Sequence, residues 1–125
     1  MACAKIANSM YDPDNRDAAG LSCITRYSKS ITSNQCSYIA NSMYQPENRD
    51  AARKYCIESI VKKPTVEECK VIADSMYQPS NRDAARLSCI TRYYESITSD
   101  QCIVIADSMY QPDNRDAARN LCLNL

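Results

Sequence analysis

Apolar side chains recur along the chain with the spacing of a helix. Cys102, Ile105, Ala106 and Met109 fall at i, i+3, i+4 and i+7, one face of a helix. That helix should stop before Pro112, because the residue preceding a proline leaves helical space. The proline itself suits the first turn of a following helix. A second pattern runs from about Pro79 to Tyr94, where Ala84 and Ser88, with Ala85, Cys89 and Tyr93, make a narrow face of small residues. Start signals precede helices of the first kind. Thr32 to Gln35, Thr65 to Glu68 and Thr98 to Gln101 each fit Ser/Thr-x-x-Glu/Gln, in which each end caps the other's backbone N–H. The expectation is a helix A from about a cysteine to a tyrosine, then a helix B beginning at a proline. Asp113 and Asp116 lie near the positive end of the last helix B. Nothing reads as a strand, a linker or low-complexity sequence.

The pair of helices repeats. Cysteines stand at 3, 23, 36, 56, 69, 89, 102 and 122, so the gaps alternate 20 and 13 and the period is 33. Each unit reads Cys-x-x-Ile-Ala-(Asn/Asp)-Ser-Met-Tyr-(Asp/Gln)-Pro-x-Asn-Arg-Asp-Ala-Ala. The units are residues 3–35, 36–68, 69–101 and 102–125, one array over 1–125. The third and fourth share 17 of 24 aligned residues, and Leu21 to Tyr27 is identical to Leu87 to Tyr93, as a two-unit duplication would leave it. A fixed period of this size signals stacked repeats. The fold expected is all-α, a right-handed α-solenoid of about four two-helix repeats.

The midpoint of every 20-spaced cysteine pair is a proline: Pro13, Pro46, Pro79 or Pro112. Both cysteines of a pair therefore lie equally far from the hairpin turn, about 15 Å along antiparallel helices. Disulfides need Cα atoms roughly 4.4–6.8 Å apart, which closely packed helices can provide. The pairing expected is Cys3–Cys23, Cys36–Cys56, Cys69–Cys89 and Cys102–Cys122. The rival, 13-spaced pairing would join neighbouring units and orphan Cys3 and Cys122. Zinc motifs place cysteines much closer together, although thiolates from stacked hairpins could line a channel for a soft ion such as Cu(I).

Composition explains why staples matter. Leu, Ile and Val number only 20 of 125 residues, and Phe and Trp are absent. Four closures of about 3 kcal/mol each would offset so thin a core. Such a framework fits an oxidising, secreted or extracytoplasmic setting. Met1-Ala2 leads straight into Cys3, so the expectation is a leader already removed, in a piece of a longer array or an engineered one. Net charge is zero, which argues against nucleic acid or an anionic membrane as the main partner. The longest apolar run, Cys102 to Ala106, is far too short to insert into a membrane. A single glycine excludes a Gly-rich phosphate loop, and the absence of histidine removes the commonest catalytic base. Carboxylate pairs such as Glu67 and Glu68 are ordinary at a helix start. No enzyme activity and no cofactor are expected, and a small hydrolase stands only as a distant alternative.

The turn motif carries the one candidate surface. Tyr-(Asp/Gln)-Pro-x-Asn-Arg-Asp recurs four times, so stacking would align Tyr11, Tyr44, Tyr77 and Tyr110 with Arg16, Arg49, Arg82 and Arg115 and with Asp17, Asp50, Asp83 and Asp116. Tyr and Arg are favoured at binding hot spots. The same residues also have structural uses. Aspartates complement a helix start, and Asp50, Asp83 and Asp116 precede Arg53, Arg86 and Arg119 by three, a surface pairing worth tenths of a kcal/mol. Gly20 replaces that arginine in the first unit and weakens its helix by about 1 kcal/mol. Asp12 to Asp17 only faintly resembles a calcium loop and lacks its glycine and distal glutamate. Met10, Met43, Met76 and Met109 recur at one core-facing position, and Tyr38, Tyr55 and Tyr94 fall outside the repeat.

In period, two-helix unit and paired cysteines the chain resembles tetratricopeptide-like and other cysteine-rich helical-hairpin repeat proteins. It lacks their Trp and Leu-Gly signature. The resemblance implies a scaffold that binds proteins or peptides, or copies of itself. The alternative from another class is a soft-metal-binding thiol protein.

Overall fold

The computed structural model describes residues 1–125. It contains eight helices and no strand: α1 (Ala2–Asn8), α2 (Pro13–Arg26), α3 (Ser33–Asn41), α4 (Pro46–Glu58), α5 (Val66–Asp74), α6 (Pro79–Arg92), α7 (Ser99–Asp107) and α8 (Pro112–Leu123). They pair into four hairpins. The chain divides into two compact units, Met1–Pro64 with the first two hairpins and Thr65–Leu125 with the last two.

The helix starts follow the sequence signals. Thr32, Thr65 and Thr98 each complete a capping box; Thr65 Oγ1 accepts from Glu68 N at 3.1 Å while Glu68 Oε1 accepts from Thr65 N at 2.8 Å. Pro13, Pro46, Pro79 and Pro112 each occupy the first helical turn, where a missing N–H costs nothing. The A helices begin three residues before the cysteine and end at Asn41, Asp74 and Asp107, short of the expected tyrosine. At the next serine the last turn tightens. Ser42 Oγ donates to Tyr38 O at 2.7 Å, Ser75 Oγ to Val71 O at 2.7 Å and Ser108 Oγ to Val104 O at 2.8 Å, and their backbone N–H groups turn back onto the last carbonyls. Met43, Met76 and Met109 thus lie beyond the helix, but they are still buried.

All four disulfides lie within hairpins: Cys3–Cys23, Cys36–Cys56, Cys69–Cys89 and Cys102–Cys122, with Cα separations of 5.7–5.9 Å. Ala40, Ala52, Ala73, Ala106 and Ala118 are wholly buried beside them, and their small side chains let the helices approach that closely. The buried stripe of α6 is Asp83, Ala85, Arg86, Cys89 and Ile90, while Ala84 is exposed and Ser88 half-buried. The inner face is therefore rotated by about one residue from the expected one, toward the large apolar Ile90.

In each unit the second helix of one hairpin packs on both helices of the next, α2 on α3 and α4, and α6 on α7 and α8. Ile24, Ile31 and Ile57 fill the first unit, and Ile90, Ile97 and Ile105 the second. No helix is long and apolar enough to cross a membrane.

Candidate functional site

Three of the four turns are held by their own arginine. Arg49 Nη1 donates to Met43 O at 2.9 Å and Tyr44 O at 3.0 Å, Arg82 Nη1 to Met76 O at 2.9 Å and Tyr77 O at 3.1 Å, and Arg115 Nη1 to Met109 O at 3.1 Å. One cation thereby gathers carbonyls that the short connection leaves without helical partners. Arg16 makes no such bond, and its buried Nε has no partner.

The aspartate works in trans, on the next hairpin. Asp17 Oδ1 accepts from Tyr44 N at 2.7 Å, and its Oδ2 accepts from Gln45 N at 3.0 Å and Asn48 Nδ2 at 2.8 Å. Asp83 repeats this on Tyr110 N at 2.8 Å, Gln111 N at 3.0 Å and Asn114 Nδ2 at 2.9 Å. Gln45 and Gln111 sit at the N-cap but make no side-chain cap; the neighbouring hairpin's carboxylate instead takes the N–H of the N-cap residue, the donor that an N3 Glu or Gln takes in a capping box. Burial pushes both carboxyls up. The bonds from Asn48, Gln45 and Tyr44, with Arg16 nearby, outweigh it for Asp17; those from Asn114, Gln111 and Tyr110, with Arg86, outweigh it for Asp83. Both pKa values fall below the ordinary 3.8.

The Asp–Arg pairs expected on the surface are inside. Asp50–Arg53 and Asp83–Arg86 are each 3.4 Å apart with all four side chains buried. Arg53 also donates to Asn41 Oδ1 at 2.8 Å through Nη2, and Arg86 Nε to Asp74 Oδ1 at 2.8 Å, tying helix B to helix A of the same hairpin. In the fourth hairpin the pattern opens out. Arg119 holds Asp107 at 2.8 Å but Asp116 only at 3.8 Å, and the Asp116 side chain is 76% exposed. Gly20 also does more than weaken a helix: a Cβ there would lie 3.1 Å from Met43 Cε and 3.4 Å from Ile39 Cγ2. The second hairpin packs directly onto its backbone.

The structure therefore splits the motif. Arg49, Arg82 and Arg115 are consumed in holding turns and Asp17 and Asp83 in holding the next hairpin, while Tyr11, Tyr44, Tyr77 and Tyr110 are exposed, Tyr11 completely. The hydroxyls of Tyr11, Tyr44 and Tyr110 make no hydrogen bond within the chain. Tyr38 is exposed, and Tyr94 donates to Leu121 O at 3.0 Å. The Asp12 carboxylate is occupied in capping its own helix through Asp14 N and Asn15 N. No group of three or more His, Cys, Asp or Glu side chains is placed to hold a metal. Every cysteine sulfur lies in a disulfide, which leaves no thiolate for a soft ion. Sequence reading gave no clamp role to Asn48, Asn114 or Gly20; the invariant spacing of the asparagine in the turn motif was the available signal.

The molecule is an all-α array of disulfide-stapled helical hairpins. Comparison with models of known families, with curated proteins and with solved structures finds no match to it.

Proposed function

We propose that the chain is a non-enzymatic scaffold that binds proteins or peptides outside the cytoplasm, with the turn tyrosines as its contact residues. The observation that carries this reading is the division of labour in the turn. The proline starts the second helix at every turn, the arginine holds three of the four turns, Asp17 and Asp83 clamp the next hairpin, and the tyrosine side chain is left in solvent at every repeat. Exposed tyrosines offer a large apolar face and a hydroxyl at little entropic cost, the properties of interface anchors. Four disulfides support the oxidising location.

The test is a peptide-display selection against the oxidised chain, counter-screened on a variant with Tyr11, Tyr44, Tyr77 and Tyr110 all changed to Ser. Binders that lose at least tenfold on the variant support the proposal. A selection that yields only binders indifferent to the four substitutions, or none, overturns it.

A further inference from the structure

The hairpin junction inside each unit has two halves, and the first and last hairpins each leave the residues of one such half exposed. The giving half is a carboxylate with an apolar neighbour: Asp17 with Ile24, and Asp83 with Ile90, all at most 3% exposed. In α8 the same positions are Asp116 and Leu123, and Leu123 is 79% exposed. The receiving half is an Ile–Met pair beside the turn donors. Ile39 and Met43 lie against Gly20 of the preceding hairpin, and Ile39, Met43, Ile105 and Met109 are all 5% exposed or less. In the first hairpin the corresponding Ile6 and Met10 are 61% and 37% exposed. There the backbone N–H groups of Tyr11 and Asp12 and the Asn15 amide correspond to the donors that clamp Asp17 and Asp83 elsewhere.

We propose that these two end faces bind each other between copies, head to tail. Asp116 and Leu123 of one copy would dock on Ile6, Met10 and the first turn of another, repeating the junction already built inside each unit. A second copy is favoured over an unrelated partner because the two faces are complementary halves of one interface, matched in hydrogen-bond donors, acceptor and apolar contact. Such a contact is heterologous: the surfaces that meet are different, so each copy of a pair keeps one face free and the pair as a whole keeps one of each kind. Two departures weaken it relative to the internal junctions. Asp12 stands where the other turns have glutamine and brings a second carboxylate toward Asp116, and Asn120 stands where α2 and α6 carry Leu21 and Leu87. This association uses the end faces and not the tyrosine edge, so the two proposals can fail independently.

Sedimentation velocity of the oxidised chain from about 10 μM to about 1 mM decides it. The average mass should climb above the 14.1 kDa of one chain. Asp116→Arg and Ile6→Arg, both at exposed positions and checked for unchanged melting, should each hold the chain monomeric. An equimolar mixture of the two should form dimers and nothing larger, since each variant blocks the opposite face. Asp12→Gln should tighten association severalfold, and Tyr44→Ser with Tyr110→Ser should leave it unchanged. A monomer at every concentration, a mixture that stays monomeric, or association abolished by the tyrosine changes would overturn the proposal.

Discussion

At the junction inside Met1–Pro64, Asp17 is three residues from Gly20, and Met43 rests on bare backbone. At the junction inside Thr65–Leu125, Asp83 is three residues from Arg86, which links it to Asp74 through a buried cation. The surroundings of the two carboxylates differ in charge, bulk and partner. The bonds they make do not: the three distances agree to within 0.1 Å. The clamp is thus set by the carboxylate and the donors of the turn it meets. The arginine serves its own hairpin, and the junction tolerates its replacement by glycine.

This comparison can be tested hardest at the staples. Replacing Cys36 and Cys56 by Ala removes about 3 kcal/mol from the first unit, and replacing Cys69 and Cys89 does the same to the second. Native-state hydrogen exchange should show protection collapsing in the altered unit and persisting in the other. Equal loss in both would mean the units unfold as one. Next come Asp17→Ala and Asp83→Ala. Each strands two backbone N–H groups and an amide, at a cost of about 3 kcal/mol. Denaturant titrations should give costs that agree to within about 1 kcal/mol; a clearly larger loss at Asp83 would make Arg86 part of the clamp.

The same carboxylates set an acid limit. Their folded pKa values lie below the unfolded 3.8, so the unfolded chain takes up protons first as pH falls. Their contribution is complete above about pH 5 and is lost as pH drops below 3.8 through the folded values. Thermal melts between pH 6 and pH 2 should fall only in that lower range, and less steeply in Asp17→Asn.

Gly20→Ala is a smaller change. The new Cβ meets the flexible end of Met43, and Arg86 shows that the equivalent site beside Met109 accepts a side chain. Helix propensity should then win by about 0.5 kcal/mol, read as a raised melting temperature; a lowered one would mean the close approach requires glycine. The smallest effect belongs to Tyr44→Ser, which should leave stability unchanged to within about 0.5 kcal/mol.

Much of this architecture was legible in the sequence because its determinants are local. A proline midway between two cysteines defines a hairpin with its staple, and Thr-x-x-Gln marks a helix start whatever packs on it. The early end of helix A was missed because the last turn tightens at Ser42, Ser75 and Ser108, and serine is common inside helices as well. The clamp was beyond sequence reading for a different reason. Asp17 and Asn48 are 31 residues apart, and their meeting depends on how far one hairpin slides along the next. The same holds for Asp83 and Arg86: spacing makes them neighbours, but only the packing of a further helix decides that they are buried.

The disulfides have a consequence for how such a chain can change over generations. Each bond begins and ends inside one 33-residue unit, so a gene that gains or loses a unit by unequal recombination encodes a product in which every cysteine still has its partner. Under the rival 13-spaced pairing, a terminal cysteine would be orphaned at each end of every product, ready to cross-link in an oxidising compartment. Repeat number can therefore drift without a chemical penalty.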